Sequence, residues 1–252
     1  MQSIKIYNDK GVERQALPNL CNALSSWKVA FISSRELMDT AWEETTDLLI
    51  MPGGRDVPYH LALKGEGNQR IRKYVENGGA YLGICAGAYY GCQNIEFDRG
   101  MELEVIAARE LSFFPGIARG PAYGPGTFRY LSEFGAKAAL ISDHLNHNKL
   151  QIYYNGGCYF VETEDYSEVQ ILCNYLEVEN QPAAVIEIKI GQGNVILSGV
   201  HLEIGTTHPP TNLDKEIVDA LSPYEEMRRR FFQQLLDRLL NKNSPLNRQI
   251  NS

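Results

Sequence analysis

The sequence predicts an α/β protein: a mostly parallel sheet with helices on both faces, extended by extra antiparallel strands. Three observations point there. The runs "TDLLIMPGG" and "AYLGIC" are apolar throughout rather than alternating, which is how strands buried on both faces read. Helical stretches separate the early strands, giving a βαβαβα order. After Glu102 the pattern changes to short strands divided by Gly- and Pro-rich loops.

Taken in order, "SIKIYND" alternates and reads as a first strand. A helical stretch covers Leu17 to Trp27, and "KVAFISS" is a second strand. "TDLLIMPGG" is a third, ending in Pro-Gly-Gly. "NQRIRKYVENGG" is an amphipathic helix whose Ile71, Tyr74 and Val75 share a face, with Gly78 and Gly79 at its end. "AYLGIC" is the next strand, and "AGAYYGCQNI" opens the next helix. The stretch "ELEVIAARELSFFPGIARGPAYGPG" reads as strand plus long loops. Further strands are expected at "KAALIS", "KLQIYYNGG", "EVQILCNYLE" and "PAAVIEIKIGQGNVILSGVH", the last folding back at "IGQGN". "SPYEEMRRRFFQQLLDRLLNK" is an amphipathic helix. Ser222 and Glu225 suggest a capping box there, with Pro223 in the first turn. One domain is expected over residues 1–242, with a tail at 243–252.

The chain has 252 residues and a formal charge of −7, a balance that argues against general nucleic-acid binding. The start "MQSIKIYNDKGVERQ" lacks a long apolar stretch, so no secretory leader is expected, and no run is apolar enough to span a bilayer. The cysteines at 21, 85, 92, 158 and 173 form no CxxC pair, which gives zinc and thioredoxin-like chemistry no support. A cytoplasmic protein with reduced thiols and no cofactor is expected. "DHLNHN", with His144 and His147, reads as an exposed loop rather than a metal site.

Three pieces fall at strand ends, where α/β sheets carry their sites. The first is Gly83-Ile84-Cys85-Ala86-Gly87. Small neighbours let a residue sit on a sharp strand-to-helix turn, and the helix start favours thiolate. A small buried cysteine in a glycine-rich turn is the plain alternative. The second is His201 and Glu203, two apart at the end of an apolar strand; a cysteine nucleophile needs a base, and the base an orienting acceptor. The third is "MPGGRD", where Gly53 and Gly54 let the backbone approach a ligand. The N–H groups of Gly54 and Ala86 are the candidate oxyanion donors. Arg55, Asp56, Tyr59 and Asn155 are candidates for the pocket wall. For Asp56 and Asn155 a plain turn role is equally open.

With these pieces in this order the chain resembles the class I glutamine amidotransferase superfamily. The resemblance implies a flavodoxin-like sheet carrying a triad of Cys85, His201 and Glu203. "MPGGRDVPYH", "GNQRIRKYVENGGAYLGICAGAYYGC", "ARELSFFPGIARGPAYG" and "IYYNGGCYF" are similar to the amidotransferase-like N-terminal domain of eukaryotic-type biotin–protein ligases, from about Ile4 past His201. No Gly-Arg-Gly-Arg loop of a ligase domain is found in the chain. One departure stands out. Glutamine-using members carry Gln two residues after the second glycine of the elbow, and here that position is Tyr89. Tyrosine cannot offer the same amide pair, so free glutamine is not the expected substrate.

Two functions follow as expectations. One is a cysteine-dependent hydrolase or amidotransferase acting on a small-molecule or peptide-like substrate. The other is a non-catalytic module that binds a ligand or partner protein through the loop from Leu111 to Gly126. Neither involves nucleic acid or membrane. A nucleotide-binding reading is weak, because the chain lacks Gly-x-Gly-x-x-Gly after its first strand and lacks a P-loop.

Overall fold

The computed structural model describes residues 2–13 and 16–240; the expected tail at 243–252 lies outside them. The first half runs β1 Ser3–Tyr7, α1 Ala16–Ala23, β2 Lys28–Ile32, α2 Ser34–Asp39, β3 Leu48–Met51, α3 Asp56–Leu63, α4 Glu66–Glu76, β4 Ala80–Ile84, α5 Ala86–Gly91, β5 Cys92–Phe97, β6 Val105–Ala108 and β7 Phe114–Gly120. The second half runs β8 Lys137–Asp143, β9 Asn148–Tyr154, β10 Tyr159–Phe160, β11 Val169–Tyr175, β12 Ala183–Ile190, β13 Gly193–Ser198, α6 Lys215–Leu221 and α7 Glu225–Leu240.

All described strands join one sheet, whose main path is β2-β1-β3-β4-β13-β12-β10-β7-β5-β6. The pairs β2-β1, β1-β3, β3-β4 and β4-β13 are parallel. From β13 the sheet turns antiparallel through β12 and β10 to β7. β11, β8 and β9 branch from β12, also antiparallel. The expected fold class holds. No described helix is long and apolar enough to cross a membrane.

The parallel strands sort their side chains by alternation. Ile4, Ile6, Leu48, Ile50, Leu82 and Ile196 face one core, closed by Leu20 of α1 and by Phe231, Leu235 and Leu236 of α7. Leu49, Met51, Tyr81, Val195 and Leu197 face the other, closed by Leu37 of α2, Tyr59 and Leu63 of α3, and Ile71, Tyr74 and Val75 of α4. Both faces are thus covered, which is why these strands read as unbroken apolar runs.

Several expected elements differ. The helix after Cys85 ends at Gly91, and "CQNI" belongs to β5. Pairing with β6 and β7 draws that segment into the sheet. The capping box at Ser222 is absent. α6 runs straight into a 3-10 turn, so Ser222 is already helical, with φ −55° and ψ −42°. Glu225 instead accepts from Arg228 Nη2 at 2.6 Å and from the Thr206 N–H at 3.0 Å. A capping box does form at Ser33 and Glu36, opening α2. The short helices α2, α3 and α6 were not legible in the sequence. Phe114–Gly120 within the expected Leu111–Gly126 loop is strand β7.

Leu82 is fully buried in the middle of β4. Leu82→Ala is expected to cost about 3 kcal/mol, seen as a lower urea midpoint with an unchanged slope. Leu61→Ala on α3, where the side chain is 62% exposed, should stay within about 0.5 kcal/mol.

Candidate active site

Three neighbouring parallel strands deliver the three pieces. β3 ends at Met51 and leads into Pro52-Gly53-Gly54; β4 ends at Ile84 and leads into Cys85; β13 ends at Ser198, three residues before His201. Their register pairs Met51 with Gly83 and Ile84 with Ser198. The Cys85 N–H then donates to the Ser198 carbonyl at 2.8 Å.

Cys85 has φ 51° and ψ −104°, a positive-φ conformation rare for a residue with a side chain and costly unless its surroundings enforce it. Its carbonyl accepts the N–H groups of Ala88 at 3.0 Å and Tyr89 at 3.1 Å, and the Gly87 N–H goes to the Pro52 carbonyl at 3.2 Å. The glycines serve close approach. A Cβ on Gly87 would lie 1.9 Å from the Met51 carbonyl oxygen, and one on Gly83 would lie 2.4 Å from that of Gly87.

The chain at His201 is held by its N–H donating to the Tyr153 carbonyl at 2.9 Å, and the ring leans edge-on against the Tyr153 ring. His201 Nδ1 is 2.8 Å from Glu203 Oε1, and both side chains are buried. That contact leaves Nε2 for other partners. The imidazole and the Cys85 side chain line the same cavity. Gly53 makes room between the two. A Cβ there would sit 2.8 Å from His201 Cε1 and 3.7 Å from Cys85 Cβ. Glu203 Oε2 has no partner among the described residues. Burial alone would push the His201 imidazole down, but the Glu203 carboxylate and the Cys85 sulfur outweigh it and hold the ring well above its ordinary value.

Cys85 and His201 open onto a cavity of about 610 Å³, walled by Arg55, Tyr153, Asn155 and residues 128–134. The other expected residues fall around it in different ways. Asn155 lies in the wall, its carbonyl 3.7 Å from Cys85 Sγ and its Nδ2 donating to the Ser132 carbonyl at 3.0 Å. Asp56 opens α3 and pairs with Arg109 Nε at 2.8 Å. Burial raises its carboxyl and Arg109 opposes that, leaving a net upward shift. Asp56, Ala86 and Tyr89 border a hollow of about 20 Å³ that shares Gly54, Arg55 and Cys85 with the large cavity. The Tyr89 hydroxyl donates to the Gly156 carbonyl at 3.1 Å, so it pins the turn that carries Asn155. Tyr59 lies outside both linings. It stands behind the loop, donating to the Pro52 and Gly53 carbonyls at 3.2 and 3.1 Å. His144 Nε2 is 3.0 Å from Ser142 Oγ, beside the β8–β9 turn.

Residues 2–250 match the family described as "Biotin-protein ligase, N terminal". The chain belongs to that family. It is 43% identical over 210 residues to an uncharacterized protein of Chlamydia muridarum, covering 81% of each chain. It is 38% identical over 223 residues to a biotin–protein ligase of Schizosaccharomyces pombe, covering 84% of this chain but 35% of the ligase. Among solved structures, a chain of PurLQS from Thermotoga maritima aligns with TM-score 0.60 at 16% identity, covering 94% of this chain and 99% of that one. A glutamine amidotransferase of Thermotoga maritima aligns with TM-score 0.56 at 11% identity, covering 95% and 98%. At these identities the structures show a shared fold.

Within this family member, sequence reading missed the cavity's outer wall. Phe128, Arg129, Tyr130 and Glu133 lie just beyond the loop singled out in the sequence. Only a pattern of aromatic and charged residues in an irregular stretch hinted at them. Tyr153, which carries His201, reads in the sequence as an ordinary strand residue.

The raised His201 value has a consequence for stability. Its folded value lies above its unfolded one, so protonation favours the fold. That contribution is fully present below about pH 6.5, the unfolded value, and is lost as pH climbs through the folded value. Thermal melts of wild type and His201→Gln are expected to differ most at the acid end of that window and to converge as pH rises. A constant difference would contradict the raised value.

Proposed function

We propose that this protein is a cysteine-dependent amide or acyl hydrolase, or an amidotransferase, using Cys85, His201 and Glu203. The observation that carries this reading is that His201, bonded to Glu203, and Cys85, held at φ 51°, line one cavity. Cys85 gives its proton to His201, and its Sγ attacks the carbonyl carbon of a small-molecule or peptide-like substrate. The carbonyl electron pair moves onto oxygen, where the N–H groups of Gly54 and Ala86 receive it. The pair returns, the C–N bond breaks, and the amine leaves with the proton from His201. Water, deprotonated by His201, then cleaves the thioester, or an acceptor amine does so in a transfer. Glu203 orients the imidazole and balances its charge. Nothing in these steps calls for a cofactor. Tyr89 spends its hydroxyl on Gly156, which supports a substrate other than free glutamine.

A second reading is an accessory module that binds a ligand or partner protein without turnover. Its support is the similarity to a protein named a biotin–protein ligase, of which this chain spans 35%.

The two readings part on the reactivity of Cys85. Cys21 is a convenient internal reference, since burial pushes its thiol up. At about pH 6, Cys85 is expected to alkylate at least tenfold faster than Cys21, by peptide mapping, and to slow markedly in His201→Ala. Equal rates at both cysteines, unaffected by His201→Ala, would favour the binding module. In a screen of amide and ester substrates, Cys85→Ala should abolish any turnover found with wild type.

A further inference from the structure

The cavity wall carries two guanidinium groups, each set over an aromatic ring. Arg55 Cζ lies 4.3 Å from the centre of the Tyr130 ring, and Arg129 Cζ lies 4.6 Å from that of Phe134. Both line the space that holds Cys85 and His201. Two carboxylates, Glu13 and Glu133, line the same cavity; Glu133 accepts from the Tyr153 hydroxyl, and nearby Asp56 pairs with Arg109. Among the described residues, neither Arg55 nor Arg129 has an ion pair. A guanidinium set over a ring can keep its N–H groups for a carboxylate or phosphate. The chain as a whole carries −7, so an anion gains nothing from the protein's overall field. Attraction has to come from this wall.

We infer that the cavity accepts an acyl donor bearing an anionic group, a carboxylate or a phosphate, which Arg55 and Arg129 hold while Cys85 faces the acyl carbon. The inference deepens the hydrolase reading and rests on Cys85 being the reacting sulfur. Phe128, Tyr130 and Phe134 then contact the apolar part of the donor between its charge and the bond that breaks. Arg55 and Arg129 set specificity and take no part in bond making.

Iodoacetate and iodoacetamide test this, since they are near in size and differ in charge; each joins Sγ as iodide leaves. The measured quantity is the iodoacetate-to-iodoacetamide rate ratio at Cys85, divided by the same ratio at Cys21. It is expected to be about fivefold or more in wild type and to shrink at about 0.5 M NaCl. The His201 imidazolium attracts the carboxylate in every variant, so the diagnostic part is what disappears with the arginines. The ratio should fall in Arg55→Gln/Arg129→Gln and persist in Arg55→Lys/Arg129→Lys. An unchanged ratio in the folded double Gln variant overturns the inference. If that variant does not fold, single Arg129→Gln decides by the same ratio. Protection of Cys85 by glutarate alone identifies a carboxylate site, and protection by inorganic phosphate alone a phosphate site. Protection by neither counts against both. Absence of labelling at Cys85 by either reagent counts against the nucleophile reading itself. Labelling by both with no charge preference counts against the anion site only.

Discussion

The backbone crossing where β3 meets the start of α5 is the contact on which the rest of the site depends. The Met51 carbonyl lies so close to Gly87 that a single Cβ there would sit 1.9 Å away. This crossing brings the first turn of α5 down onto the sheet. It forces the chain to reverse within one residue, and that residue is Cys85, at φ 51°. Bonds on both sides hold the reversal: the Cys85 N–H to Ser198 on β13, and the Gly87 N–H to Pro52 after β3. A strained residue persists only when its neighbours over-determine it, and here two adjacent strands do so.

The same register places the charged groups. His201 and Glu203 leave the sheet beside Cys85 because β13 pairs directly with β4. Burying a carboxylate is costly unless it is paired. Glu203 is paired through Oε1 to His201, while Oε2 lacks a partner among the described residues. The imidazole is thereby held charged against the pull of burial. Each member of the pair thus depends on the other for its charge. Around them, supports act at one remove. Tyr59 braces the Gly53 loop, Tyr89 braces the Gly156 turn, and Arg109 neutralises Asp56.

Much of this was legible in the residues. The unbroken apolar strands announced burial on both faces, and the helix carrying Ile71, Tyr74 and Val75 showed its buried side. The elbow glycines, the Pro-Gly-Gly loop and the His-x-Glu spacing marked the three pieces that meet. The misreadings share one cause. "CQNI" continues a helical pattern locally but is captured by β6 and β7; Ser222 and Glu225 have the spacing of a capping box, but α6 already fills the position. In both cases a distant or preceding element overrode a local preference.

The sequence by itself determined the fold class, the two-faced burial of the parallel strands and which residue types stand at their ends, because periodicity and glycine placement are local properties of the chain. Only the tertiary structure decided which strand ends are neighbours, and therefore that His201 and Cys85 line one cavity. It alone decided that Tyr59 and Tyr89 donate their hydroxyls to backbone turns, and that Arg55 and Arg129 share one cavity wall with no ion pair to either among the described residues. Those outcomes depend on strand order and on contacts between residues far apart in the chain, and no window of local sequence contains both partners.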